Sequence, residues 1–283
     1  MRVKATVHGA ISLVSAIATG KGATLGISTK VESTLNVTEG TGITLTSRNK
    51  TISSRLINNV IKKIVSKNEL NKNKLNINIE TDIPVGYGLK SSSAISTSVA
   101  LACSKIFQPK LSDLKILLAG VDASIEAKVS LTGAYDDACA CYYGGFNVTD
   151  NYKRKIILRK NAPKNINAII FIPNKRNRGN IKKLKNFAVI FEEAWNFAKK
   201  SDFWNAMILN GFAASTILKS EPEIVSNMIK NGALGASVSG NGPSFAVVAN
   251  DKITPKIKKS LSELDGSIIV SKINNEKATV YDL

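Results

Sequence analysis

Between residues 75 and 107 the chain changes period abruptly, and no other feature constrains its fold as much. Leu75, Ile77 and Ile79 alternate with polar residues up to Thr81, the pattern of a half-buried strand. Directly after it stands Pro84-Val85-Gly86-Tyr87-Gly88-Leu89-Lys90-Ser91-Ser92-Ser93-Ala94, a glycine turn running into a helix of small residues that reaches about Phe107. Gly86 and Gly88 permit a tight, left-handed turn and a close backbone approach to a ligand. The helix behind them offers unpaired N–H groups and a positive dipole end, which suit a phosphate. The three serine hydroxyls can bind a phosphate oxygen or a magnesium ion. The plainer alternative, a glycine turn with a serine N-cap, stays open on these residues alone. The segment is not GxxxxGK[ST], which occurs nowhere in the chain, and Ser91 fills the third glycine position of GxGxxG.

Around this unit the remaining patterns describe an α+β chain. Strand-like alternation runs through residues 2–7 and 23–37, with a further short strand over 40–46. Apolar residues at helical spacing from Ile52 to Val65 predict an amphipathic helix over 51–67. Ser112 is placed to N-cap a helix reaching Lys128, and another helix is expected from Tyr135 to the Gly144-Gly145 pair. Beyond residue 150 strands are expected at 155–158 and 168–172, and helices at 183–200, 202–218 and 222–230. A second glycine loop at 235–244 then leads into a strand at 245–248, a helix at 255–264 and a strand at 267–272. The change of pattern divides the chain into residues 1–155 and 156–283.

Composition narrows the function. At 283 residues and 43% hydrophobic content the chain is long enough for a large buried core. No apolar run approaches the roughly 18–20 residues of a membrane span, so no membrane association is expected. The start has too many breaks in its apolar stretch for a signal peptide. Three cysteines form neither a disulfide framework nor a CxxC pair, which points to the cytoplasm, and a single histidine demotes zinc and Ser-His-Asp chemistries. A formal charge of +18 suggests an anionic partner, but Lys, Asn and Ile are enriched together and the basic residues are scattered, so compositional drift explains it as well.

Two segments together carry a resemblance. Pro84-x-Gly86-x-Gly88-Leu89-x-Ser91-Ser92-x-Ala94 resembles the phosphate loop of the GHMP kinases, and Gly235-Ala236-Ser237-Val238-Ser239-Gly240-Asn241-Gly242-Pro243-Ser244 resembles their late glycine loop. They stand about 150 residues apart and in the family's order. The segment from Ala10 to Ala23, with Ala18-Thr19-Gly20-Lys21-Gly22, and Thr132-Gly133-Ala134-Tyr135-Asp136-Asp137-Ala138 are similar to the archaeal shikimate kinases of that superfamily. The resemblance implies a ribosomal S5 domain 2-like N-terminal domain that binds ATP and a ferredoxin-like C-terminal domain. It also implies transfer of phosphate from ATP, with magnesium, to the 3-hydroxyl of shikimate. Homoserine or mevalonate as substrate, and an S5-like RNA-binding protein, are the alternatives; no nucleic acid is expected as partner, and the chain is expected to be a monomer or homodimer.

The same resemblance assigns residues. The family's catalytic Asp lies seven residues before a helix-ending glycine, which gives Asp137, whereas its Asp-x-Ala triplet favours Asp136. Two carboxylates at a helix start can also be caps. A Glu eleven residues earlier, Glu126, is implied as magnesium ligand with Ser92, since hard oxygens suit that ion. Lys21 is implied as the lysine assisting the Asp, with Thr19, Ser239, Gly240, Asn241 and Gly242 near the substrate. His8, Cys139 and Cys141 read as structural, and Trp195 and Trp204 as core or adenine neighbours. Arg176 and Arg178 read as a basic surface loop rather than a carboxylate site.

Overall fold

The computed structural model describes residues 1–48, 52–175 and 179–283. Two antiparallel-rich sheets organise them. The first holds β1 (Arg2–Val14), β2 (Lys21–Glu39), β3 (Ile43–Ser47), β4 (Asn73–Thr81), β5 (Phe146–Asp150), β6 (Lys155–Lys160) and the C-terminal strand β11 (Thr279–Asp282). The second runs in the order β10 (Gly266–Lys272), β7 (Ile166–Pro173), β9 (Phe245–Asn250), β8 (Gly235–Val238). That order, with three helices between β7 and β8 and one between β9 and β10, is the ferredoxin-like arrangement expected of the C-terminal part, with extra helices in its first crossover. Sheet membership changes only after Lys160, and β11 returns to pair with β1.

β1 is twice as long as the alternation suggested. It crosses Gly9 through a register shift beside His8, at a point where a side chain would overlap the Thr29 hydroxyl. Residues 10–14 therefore belong to β1, residues 15–20 form the turn, and Lys21 opens β2. The helices α1 (Ser54–Ile64), α4 (Asp113–Glu126) and α5 (Tyr135–Tyr143) fall inside the expected spans, and α5 stops at Gly144 with φ +69°. Ser112 is the N-cap residue of α4, although its side chain makes no capping bond. The short helix α2 (Lys67–Lys72) and strands β5, β8 and β11 were not legible as separate elements.

α3 (Ser91–Phe107) is the helix that positions the site. Thirteen of its seventeen residues are buried, so it has no solvent face and sits between β1, β2 and the neighbouring helices. Small residues let it approach the sheet closely, and three of its buried serine hydroxyls are satisfied locally, while that of Thr97 has no partner. Ser96, Ser98 and Ser104 donate to carbonyls three residues back, and the Ser98 hydroxyl also meets that of Ser33 at 2.6 Å. The remaining helices are α6 (Ala188–Lys199), preceded by a 3-10 turn at Ile181–Phe187, α7 (Phe203–Leu218), α8 (Pro222–Lys230) and α9 (Thr254–Ser262). No helix among the described residues is long and apolar enough to cross a membrane.

Candidate active site

The two glycine segments, far apart in sequence, touch each other. Gly86 and Gly88 have φ of +87° and +81°, the left-handed turn the sequence called for. Ser239 Oγ donates to the Gly88 carbonyl at 2.9 Å and accepts from the Ser12 N–H at 3.5 Å, while the Gly240 N–H donates to Ser12 Oγ at 3.1 Å. A Cβ at Gly88 would overlap the Ser239 carbonyl oxygen. Close backbone approach, the property for which glycine is needed, is thus used here between two loops and β1.

Their junction borders a cavity of about 580 Å³, a size suited to small-molecule ligands. Its walls include Gly86, Gly88, Lys90, Ser91, Ser92 and Ser93 from the first loop, Gly240 and Asn241 from the second, and both Asp136 and Asp137. The N-terminus of α3 opens onto it with no acidic residue in its first turn, so the orphan N–H groups and the dipole are uncompensated by the helix itself. Pro84, Val85, Tyr87, Leu89 and Ala94 do not line the cavity; Leu89 and Ala94 are buried in the core and hold the loop down. Ser239 and Gly242 stand behind the wall rather than on it.

The two aspartates are not caps. Ala134, in a left-handed conformation, is the N-cap of α5, and the carboxylates have separate partners. Asp136 is buried and held by Asn151, whose Nδ2 donates to Oδ1 at 2.7 Å and whose Oδ1 accepts from the Asp136 N–H at 3.0 Å. Its other oxygen lies against Gly22, where a Cβ would overlap it. Asp137 forms an ion pair with Lys90, Nζ to Oδ1 2.9 Å, and both side chains are nearly covered. Burial, with Asp136 next to it, pushes the Asp137 carboxyl up to about 7 against the opposing pull of Lys90. Burial would lower the Lys90 ammonium, yet Asp137 and Asp136 together hold it above the ordinary lysine value.

Three expected residues are placed elsewhere. The Lys21 ammonium pairs with Glu192 on α6 and lies 4.9 Å from the Trp195 ring centroid, so it faces the second sheet's helices and not the aspartates. Thr19 closes the local turn by accepting from the Lys21 N–H at 3.2 Å, away from the cavity. Glu126 is half-exposed and paired with Lys63 at 2.6 Å, outside the cavity wall that carries Ser92. The expected Ser92–Glu126 pair is therefore not assembled, and no group of three or more acidic, histidine or cysteine side chains placed to hold a metal ion exists among the described residues. As they stand these side chains do not fit a shared magnesium ion.

Other expectations resolve plainly. Trp195 is buried in the core, its indole N–H donating to the Thr149 carbonyl at 3.1 Å, and half-buried Trp204 packs against the core edge-on to Phe146; neither lines the cavity. His8 sits on β1 opposite Lys30, with burial lowering its pKa. Cys103, Cys139 and Cys141 are buried and unpaired. Arg176 and Arg178 lie outside the described residues. Sequence reasoning missed Asn151 and underrated Lys90: the first carries no local motif, and the second was legible only as a cation inside a glycine loop.

Comparison with known proteins agrees with this geometry. Residues 55–145 match the GHMP kinases N terminal domain. Shikimate kinase from Methanobrevibacter smithii is 32% identical over 94% of this chain and 95% of its own length. Shikimate kinase from Pyrococcus furiosus is 33% identical over 93% and 96%. Among solved structures, homoserine kinase from Cytophaga hutchinsonii superposes with a TM-score of 0.78 at 18% identity, covering 99% of this chain and 97% of its own. The mevalonate kinase of Methanococcus jannaschii gives 0.72 at 20% identity, covering 97% and 98%. With the phosphate loop, the late glycine loop and the paired aspartates meeting at one cavity, the chain belongs to the GHMP kinases, in the group formed by the archaeal shikimate kinases.

Proposed function

We propose that this kinase transfers the γ-phosphoryl group of ATP to the 3-hydroxyl of shikimate, giving 3-phosphoshikimate and ADP. The observation that carries the reading is Asp137: a nearly covered carboxylate with a pKa near 7, on the same cavity wall as the N-terminus of α3. Phosphoryl transfer asks for alignment, charge neutralisation and a group to take one proton. The α3 N-terminus with Ser91, Ser92 and Ser93 receives the phosphates. The substrate hydroxyl oxygen forms its bond to the γ-phosphorus as the bond to the ADP oxygen breaks, and the hydroxyl proton passes to Asp137. Asp136, held by Asn151, is the second candidate for that proton. The loop at Gly240 and Asn241 closes the far wall against substrate and nucleotide.

Magnesium is proposed to enter with the nucleotide, keeping most of its waters, and no step here depends on a protein–metal contact. Buried, unpaired thiols support a reducing cytoplasm as the working compartment. We further propose that the chain works without nucleic acid, as a monomer or homodimer, with its ATP-binding half ending near residue 155.

The test is ADP release, coupled to a spectroscopic readout, with magnesium-ATP against shikimate, homoserine, mevalonate and galactose. Turnover with shikimate alone supports the reading. Turnover with another alcohol keeps the kinase and replaces its substrate. Silence with all four, together with steeply salt-dependent RNA binding, overturns it in favour of the S5-like alternative.

A further inference from the structure

The lysine expected to work beside the aspartate is Lys21, and the structure directs its ammonium to Glu192 and the Trp195 ring instead. A different lysine occupies the centre of the site. Lys90 is the N-cap of α3 with φ +62° and ψ +19°, a left-handed conformation that costs a non-glycine residue stability, and its side chain makes no capping bond. Its side chain is only 7% exposed, on the cavity wall, with Nζ 2.9 Å from Asp137 Oδ1. Nζ also lies 3.1 Å from where a Cβ at Gly240 would stand, so the ammonium reaches the second glycine loop as well.

A lysine in a glycine's conformation, buried where the two loops and α5 meet, is poorly explained by stability. Buried ion pairs are often no more stabilising than apolar replacements of the same volume. Strained backbone and buried charge gathered at one cavity point to function. We infer that Lys90, rather than Lys21, is the positioning residue that fixes the Asp137 carboxylate against the transferring phosphoryl group, linking it to the loop at Gly240. The lysine stem carries the charge from the helix N-terminus to Asp137. Lys90 and Asp137 then act as one unit, so the loss of either disables the other. This inference rests on the kinase reading above, with Asp137 as proton acceptor.

The experiment is a double-mutant cycle in the full chain: Lys90→Met, Asp137→Asn and both together, with Lys90→Arg and Lys21→Met alongside. Steady-state kcat is measured with saturating shikimate and magnesium-ATP, and ADP binding by calorimetry. ADP lacks the transferring group, so its affinity separates positioning from damage to the phosphate loop. The expected result is a kcat loss of about 100-fold or more for Lys90→Met with ADP affinity within about three-fold. Lys90→Arg should recover at least about tenfold of that loss, and Lys21→Met should cost less than about tenfold. The double variant should fall no further than about tenfold below Asp137→Asn, because groups acting as a unit are not additive. If Lys90→Met alone does not fold, the double variant, which leaves neither of these two charges without its partner, still decides against Asp137→Asn. Multiplicative losses, near-normal turnover of Lys90→Met, or parallel loss of kcat and ADP binding overturns the inference. Near-normal turnover of Asp137→Asn instead removes Asp137 as the base, and with it the reading on which the inference stands.

Discussion

Gly88 offers a perturbation whose cost can be worked from the backbone. Alanine there must hold φ near +81°, which costs about 1–2 kcal/mol for an L-residue. Its Cβ also overlaps the Ser239 carbonyl oxygen, a main-chain atom that cannot swing aside, and forced overpacking of this kind costs about 1–3 kcal/mol. Moving the loops apart weakens the 2.9 Å hydrogen bond from Ser239 Oγ to the Gly88 carbonyl, worth about 1 kcal/mol. Together these give a destabilisation of about 3–6 kcal/mol. Gly42 is the natural control, since its φ is +105° but a Cβ there meets nothing within 4 Å. Gly42→Ala should therefore show only the conformational cost of about 1–2 kcal/mol. Urea unfolding at matched m-values compares the two, and nucleotide affinity gives an independent check: Gly88→Ala should bind ADP at least tenfold more weakly, Gly42→Ala normally. Equal destabilisation by the two alanines would falsify the claim that contact between the glycine loops holds the cavity together.

Further outcomes follow from the same geometry. Asp137→Asn should lower kcat by about 10²–10⁴-fold with ADP affinity within a few-fold, read by ADP release and calorimetry; an intact kcat removes it as proton acceptor. A base must be unprotonated to act, so kcat/KM should fall as pH drops through about 7, the value set for Asp137 by burial and Asp136 against Lys90, with Cys139 and Cys141 facing it as neutral thiols. In stability the sign is the reverse of the usual carboxylate case. A pKa raised in the folded state keeps its stabilising proton at low pH, and that contribution is lost as pH climbs from the ordinary carboxylate value through about 7. Wild type should therefore lose stability relative to Asp137→Asn between pH 5 and pH 8 in denaturant titrations. Finally, Cys103, Cys139 and Cys141 are buried, and burial pushes their thiols up, Cys103 to about 12. A thiol reagent at pH 8 should find almost none of them in the native chain and all three in denaturant.

What could be read from the sequence was what short-range physics dictates. The strand ending at Thr81, the glycine turn and α3 follow from alternation, positive-φ glycines and small residues, all of which act within a few positions. The end of α5 at Gly144 was legible for the same reason, whereas the pairing of the two glycine motifs with Asp136 and Asp137 rested on the resemblance to the GHMP kinases. Where an element depended on a distant partner the reading failed. β1 runs past Gly9 because β2 pairs with it through a shifted register, and β8 and β11 exist because β9 and β1 supply their hydrogen bonds. The family resemblance placed Lys21 and Glu126 beside the site, yet each ammonium or carboxylate is a long, rotatable group that goes to whichever opposite charge the fold brings near. For Lys21 that charge is Glu192, 171 positions away, and for Glu126 it is Lys63. The sequence by itself pointed to the kind of chemistry, because two glycine motifs in the family's order and an adjacent aspartate pair occur together, although each alone had a plainer reading. Which lysine meets which aspartate was decided by tertiary structure alone, because a buried charge is fixed by the partners folded around it and not by its neighbours along the chain.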